Sequence, residues 1–130
     1  MKRICYLCVV LFALCILPGA VPGVDAGQGK LIAVAADGPA ADAAVSLKAA
    51  RCAYFLIFDS QGELIETLAN PHRRTRGGAG PQVAELLAQK GAGTFIAGEF
   101  GARMSDALQR KGIAMRIATG SALEVVQQAH

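Results

Sequence analysis

The feature that most constrains the fold of this chain is an uninterrupted apolar run, Leu31–Ala36. A strand with one face in solvent alternates apolar and polar residues, whereas a strand covered on both faces is apolar throughout. The run therefore predicts a central strand, and the sheet around that strand must carry packed helices on both faces.

The patterns that follow this run alternate between strand and helix. Tyr54–Phe58 and residues 64–68 are predicted to pair as an antiparallel hairpin, because turn residues separate them. Apolar side chains at helical spacing then alternate with short strand-like runs. The remaining predicted elements are helix 81–90, strand 94–97, helix 102–111, strand 114–117 and a helix from about residue 122. This order, β then a β-hairpin then αβαβα, predicts an α/β domain with a mixed five-stranded sheet, matching a ribonuclease H-like three-layer fold.

The first 26 residues have the pattern of a secretory signal peptide. Lys2 and Arg3 precede an uncharged apolar run at 4–17, and residues 24–26 offer a small-residue cleavage site. The run is shorter than the ~20 residues that span a bilayer, and the alternative is an uncleaved N-terminal anchor. We therefore expect an exported protein, periplasmic or secreted, with a mature domain of residues 27–130 that leaves the membrane after cleavage.

Removal of this segment changes the composition that matters for function. The full chain has 13 basic and 10 acidic residues; without Lys2, Arg3 and Asp25 the mature domain has 11 and 9, a net charge of +2. This near-neutral balance argues against a dedicated nucleic-acid-binding protein, which would be strongly basic. Three of the four cysteines also lie in the removed segment, so Cys52 has no partner for an internal disulfide.

Residues 70–81, with the sequence NPHRRTRGGAGP, gather the most groups able to hold an anion or a metal. Pro81 suits the first position of a helix, and the free N–H groups of a helix start bind anions. Arg73, Arg74 and Arg76 add positive charge, and His72 can ligate a metal or donate a proton. The alternative is an exposed loop whose arginines are merely solvated. The glycines do not form a Walker motif, because no Lys-Ser/Thr pair follows them.

Other candidate residues leave further alternatives open. Asp37 and Glu99 follow predicted strands, and two carboxylates at such strand ends could hold Mg²⁺ in a metal-dependent phosphodiesterase. They could equally cap turns or helix starts. Cys52 follows Arg51, which could lower the pKa of its thiol and favour a soft metal. Alternatively, Cys52 is a small buried hydrophobic residue.

Three segments give the chain a wider resemblance. They are LIAVAADG at 31–38, YFLIFD at 54–59 with Asn-Pro-His at 70–72, and GAGPQVAELL at 78–87 with IAGEFG at 96–101. In order and spacing the chain resembles the dinitrogenase iron–molybdenum cofactor biosynthesis family, the domain type of NifX and of the NifB C-terminus. The resemblance implies a non-enzymatic domain that carries an iron–sulfur or iron–molybdenum cluster, or its precursor, and passes it to a metalloprotein acceptor.

The resemblance also implies roles for particular residues. His72 would be the metal ligand, and Gly78, Ala79 and Gly80 would shape the pocket. From its position after Arg51 and just before the Tyr54 strand, Cys52 could lie beside that pocket. One family motif, Val-Ser-x-His-Phe-Gly-Arg, is altered here, because Lys48, Ala49 and Ala50 replace its His-Phe-Gly. The alternative function is therefore an exported interaction domain that has lost the cluster.

Overall fold

Five strands form the centre of the protein in the computed structural model, which describes residues 30–129. The elements in chain order are β1 (Leu31–Ala36), β2 (Tyr54–Phe58), β3 (Leu64–Ala69), α1 (Ala79–Gln89), β4 (Ala92–Ala97), α2 (Ala102–Arg110), β5 (Ala114–Ile117) and α3 (Ala122–Gln128). The mixed five-stranded sheet and the α/β class are as the sequence patterns predict. The expected signal peptide and its cleavage site lie outside the described residues.

The strand order across the sheet is β3-β2-β1-β4-β5, which makes β1 the central strand. It pairs antiparallel with β2 and parallel with β4, while β2 and β3 form the predicted hairpin and β4 and β5 run parallel. The carboxyl ends of β1, β3, β4 and β5 and the amino end of β2 therefore meet at one edge of the sheet. We call this the site edge, because the loops that carry the candidate residues lie there.

The helices cover the sheet on both faces, as the apolar β1 run predicts. Alternate residues of β1, β2 and β4 pack against α1 and α2 on one face; among them, Phe55 and Phe95 meet edge to face with ring centroids 5.8 Å apart. The other set, including Val34, Leu56 and Ile96, packs against α3. In residues 30–129 every buried side-chain nitrogen and oxygen has a hydrogen-bond partner. No helix in this range is long and apolar enough to span a membrane.

Helix α1 begins two residues earlier than the position of Pro81 predicts. Gly78 precedes the helix with φ of 71°, a left-handed conformation that glycine adopts without steric cost. The carbonyl of Gly78 accepts the first helical hydrogen bond, from the Gln82 N–H at 3.3 Å. Pro81 is thus the third helical residue, and it is tolerated because N–H groups of the first turn have no partner within the helix.

The segment 38–50, which has no clear sequence pattern, crosses the carboxyl ends of the central strands. Val45 forms a β-bridge with Ala36, and the Ser46 carbonyl accepts a hydrogen bond from the Gly98 N–H at 2.8 Å. A Cβ on Gly98 would lie 3.0 Å from the Leu47 Cα atom, so this crossing requires glycine just after β4. Long-range backbone hydrogen bonds, rather than a local pattern, fix the segment.

Candidate functional site

A basic cleft of about 480 Å³ opens at the site edge. Its lining residues come from the end of β1, the crossing segment and the arginine loop: Asp37, Ser46, Leu47, Lys48, Arg51, Cys52, Ala53, Arg73 and Arg74. Four cations thus face the cleft and only one carboxylate does. An excess of positive charge in a concave site concentrates anions.

Arg51 holds the arginine loop to the crossing segment. Its Nη1 atom donates to the carbonyl of Thr75 at 2.6 Å and lies 3.4 Å from the carbonyl of Arg73. The same side chain lines the basic cleft and two neighbouring clefts. Arg51 therefore both charges the site and positions the backbone that carries Arg73 and Arg74.

Asn70 makes a second link between these segments, one that the sequence patterns did not reveal. Its side chain is buried, and Nδ2 donates to the carbonyls of Ala50 and Cys52, each at 2.9 Å. Its Oδ1 accepts from the His72 N–H at 2.8 Å, closing a turn at the start of the loop. The Asn-Pro pair is a turn signal, but only the fold supplies the two distant carbonyls.

Cys52 lines the basic cleft with a thiol that is almost wholly buried, at 2% exposure. Its Sγ donates to the Tyr54 carbonyl at 3.2 Å. Burial raises the pKa of the Cys52 thiol to about 12. The expected lowering of this pKa by Arg51 is wrong, because desolvation outweighs the other influences and the Arg51 guanidinium is directed to the loop carbonyls.

A second cleft, of about 370 Å³, lies where α1 and α2 both begin. Residues 77–81 form one wall, residues 101–104 the other, and Arg51 separates it from the basic cleft. Neither helix start has a side-chain cap or an acidic residue in its first turn. A Cβ on Gly80 would lie 3.1 Å from the Met104 backbone, so Gly80 allows the close approach of the two helices. The predicted turn glycines thus shape a cleft beside the basic one.

His72 lines a different groove, of about 250 Å³, with Gln82, Glu85, Leu86 and Gln89. The Glu85 carboxylate forms an ion pair with Lys111, whose hydrogen bond and charge lower the Glu85 pKa. The structure therefore brings Arg51 together with Cys52 in the basic cleft and with residues 78–80 in the second cleft. It sets His72 in a separate groove.

Asp37 and Glu99 also line different clefts. Asp37 faces the basic cleft, whereas Glu99 lines a neighbouring space of about 260 Å³ with Phe100 and the crossing segment. Within the described part of the chain no three His, Cys, Asp or Glu side chains lie close enough together to hold a metal ion. The pair of carboxylates considered for magnesium does not share one cavity.

A family model described as dinitrogenase iron-molybdenum cofactor matches residues 30–130, which include the whole sheet and all the clefts. The chain belongs to this dinitrogenase iron–molybdenum cofactor family. The family to which the three sequence segments pointed is thus confirmed. No curated protein matches the chain in sequence.

Two solved structures share this architecture. The apo form of the orange protein from Desulfovibrio gigas is similar with a TM-score of 0.72 and 31% identity, over 77% of this chain and 86% of that one. A Thermotoga protein named for NifB and placed in the DUF35 family is similar with a TM-score of 0.66 and 27% identity, over 77% and 86%. The family therefore suggests a binding or carrier domain related to the iron–molybdenum cofactor.

Proposed function

We propose that this protein is a non-enzymatic carrier that holds an anionic iron–sulfur or iron–molybdenum cluster, or its precursor, in the basic cleft. The observation that carries the proposal is the set of four cations facing one carboxylate in that cleft. Family membership and the neighbouring NifB-type structure support a cluster as the anion. The description of the orange protein structure as an apo form agrees with a fold that takes up a separable ligand.

The chemistry of the cleft favours binding through charge and hydrogen bonds. The thiol of Cys52 stays protonated at neutral pH, because its pKa is about 12. Arginine and lysine donors can instead bond to the sulfur atoms of a cluster and balance its negative charge. The free N–H groups at the start of α1 extend this set of donors along the second cleft.

The altered family motif changes the chemistry of this site. Lys48 stands where the family motif has histidine, and its side chain lines the basic cleft. The change therefore replaces a neutral ligand by a positive charge, which strengthens attraction for an anion. The same change removes a potential metal ligand, so the proposed binding depends on charge and hydrogen bonds in the cleft.

We also propose a setting for the carrier. The signal-peptide pattern at 1–26 supports export to the periplasm or beyond, with residues 27–130 as the mature domain. The strand order supports a ribonuclease H-like fold. A carrier needs a recipient, so a metalloprotein acceptor is part of this proposal.

Anaerobic loading of the purified protein tests the proposed function. Incubation with ferrous iron and sulfide, or with tetrathiomolybdate, is followed by gel filtration, metal analysis and visible absorption. We expect a sulfur-to-metal charge-transfer band, and binding at least about tenfold weaker in Arg73→Ala/Arg74→Ala, because two charged donors are removed. The matched control is Arg110→Ala, at the far end of α2, which should load like the unchanged protein.

A histidine variant separates two modes of binding in the same assay. Because His72 lines a separate groove, we expect His72→Ala to keep both metal and absorption band. Loss of the band in this variant would instead make His72 a direct ligand, as the family resemblance implies. Equal loading of the double arginine variant and the control would refute binding in the basic cleft.

A further inference from the structure

Several cations at the site edge form no ion pair with a carboxylate within residues 30–129. Lys48, Arg51, Arg73, Arg74 and Arg76 are all exposed. The ion pairs formed within residues 30–129 are Lys90–Glu66 and Lys111–Glu85. Both lysines lie at the carboxyl ends of α1 and α2, whereas the amino ends of these helices lie at the site edge. The mature chain is close to neutral, yet these five cations of the crossing segment and the arginine loop lie at one edge without an ion pair. We call these five residues the basic face.

The basic face extends beyond the cleft that would hold the ligand. Arg76 belongs to the same loop as Arg73 and Arg74 but does not line the basic cleft. The Arg76 side chain is exposed to solvent, two residues after the cleft-lining Arg74. A cation in this position can act on a larger molecule that approaches the mouth, because charge interactions between exposed groups extend over about 8–10 Å at moderate salt.

An apolar side chain lies at the same mouth. Leu47 is 62% exposed although its backbone is held firmly. The flanking Ser46 donates its N–H to the Ala35 carbonyl at 2.8 Å, and the Ser46 Oγ accepts from the Lys48 N–H at 3.1 Å. Leu47 is thus an exposed apolar side chain beside Lys48, on a segment whose backbone is hydrogen-bonded on either side. An exposed apolar side chain beside charged residues can add to the binding of a protein partner, because its apolar surface is removed from water on docking.

We propose that the basic face with Leu47 is the docking surface for an acidic protein, the acceptor of the bound cluster. This inference rests on the proposed function, because a cluster that leaves through the cleft mouth must meet its acceptor there. Charge complementarity selects an acidic acceptor surface, and Leu47 inserts into an apolar depression on it. Arg76 steers the approach, whereas Arg73 and Arg74 also hold the ligand.

Equilibrium binding of the unloaded protein tests the surface independently of cluster uptake. The probe is an apo-ferredoxin rich in surface carboxylates, titrated by NMR in 50 mM and 500 mM NaCl. We expect shifts at residues 47–51 and 73–76, with weaker binding at high salt because exposed charges are screened. Arg76→Glu and Leu47→Ser should each weaken binding about three- to tenfold. Arg110→Glu and Ile65→Ser, which change exposed residues away from the site edge, should have little effect.

Several outcomes distinguish this inference from the proposed function. Failure of metal loading with intact, salt-sensitive ferredoxin binding would remove the carrier function but leave the docking surface. Normal loading with no ferredoxin binding, or with equal loss in Arg76→Glu and Arg110→Glu, would overturn the docking surface. Tighter binding to vesicles containing anionic phosphatidylglycerol than to the ferredoxin would also overturn it, by assigning the face to a membrane.

Discussion

At the scale of single residues, Asn70 and Cys52 show how the site is held together. Asn70 donates two side-chain hydrogen bonds to the carbonyls of Ala50 and Cys52 and accepts a third from the His72 N–H within the loop, and the Cys52 side chain is buried nearby. Neither side chain needs to touch a ligand for the site to depend on it. Their contributions are therefore measured as stability rather than as binding.

Replacement of Asn70 by aspartate keeps the shape but removes both N–H donors. The new carboxylate would face the carbonyls of Ala50 and Cys52, so we expect the free energy of unfolding to fall by about 2–3 kcal/mol. Urea unfolding followed by circular dichroism measures the change. The exposed Asp106→Asn variant serves as the control and should stay within about 0.5 kcal/mol. An unchanged midpoint in Asn70→Asp would show that these hydrogen bonds contribute nothing net.

The buried thiol predicts a specific dependence of stability on pH. The pKa of Cys52 is raised from 9.0 to about 12, so the thiol is protonated in both folded and unfolded states below pH 9. Between pH 9 and 12 only the unfolded thiol ionises, and stability should fall by about 1.4 kcal/mol for each pH unit. Comparison with Cys52→Ala isolates this group from other titrating residues. A difference between the two proteins that is constant from pH 8 to 11 would contradict the raised pKa.

At the scale of elements, the packing of α1 on α2 decides the shape of the second cleft. Both helix starts form its walls, and α1 approaches the Met104 backbone of α2 closely at Gly80. Periodicity in the sequence located both helices, but it placed the start of α1 at Pro81. The left-handed Gly78 begins the helix two residues earlier, and proline rules alone do not determine which glycine provides that conformation.

Replacement of Gly80 by alanine tests this close packing. The new Cβ would lie 3.1 Å from two Met104 backbone atoms, so α1 must shift away from α2. We expect a loss of about 1–3 kcal/mol in unfolding free energy, as for other overpacked sites. Gly38→Ala is the matched control, since its Cβ would meet only Ala43 at 3.5 Å, an ordinary contact. Equal stability of the two variants would show that the helices separate without cost.

At the scale of the whole molecule, local patterns and long-range contacts differ in how far sequence reveals them. The apolar β1 run, the hairpin and the helical stripes each depend on neighbouring residues, and the structure confirms them. The basic cleft depends instead on Arg51 reaching the Thr75 carbonyl, 24 residues along the chain. No pattern in the sequence encodes that contact, nor the separation of His72 from the Arg51 clefts. Composition likewise conceals the basic face, because a net charge says nothing of where the charges lie.

The direction of β1 has a practical consequence for attaching the protein to anything else. Lys30 directly precedes the strand at the edge opposite the clefts, and six extended residues separate the two by roughly 20 Å. An affinity tag, a fluorophore or an immobilising linker joined directly before Lys30 would therefore be attached at the edge opposite the clefts. A surface-coupled sample prepared in this way leaves the mouth of the clefts facing the solution, which is the orientation that sensors and pull-down matrices require.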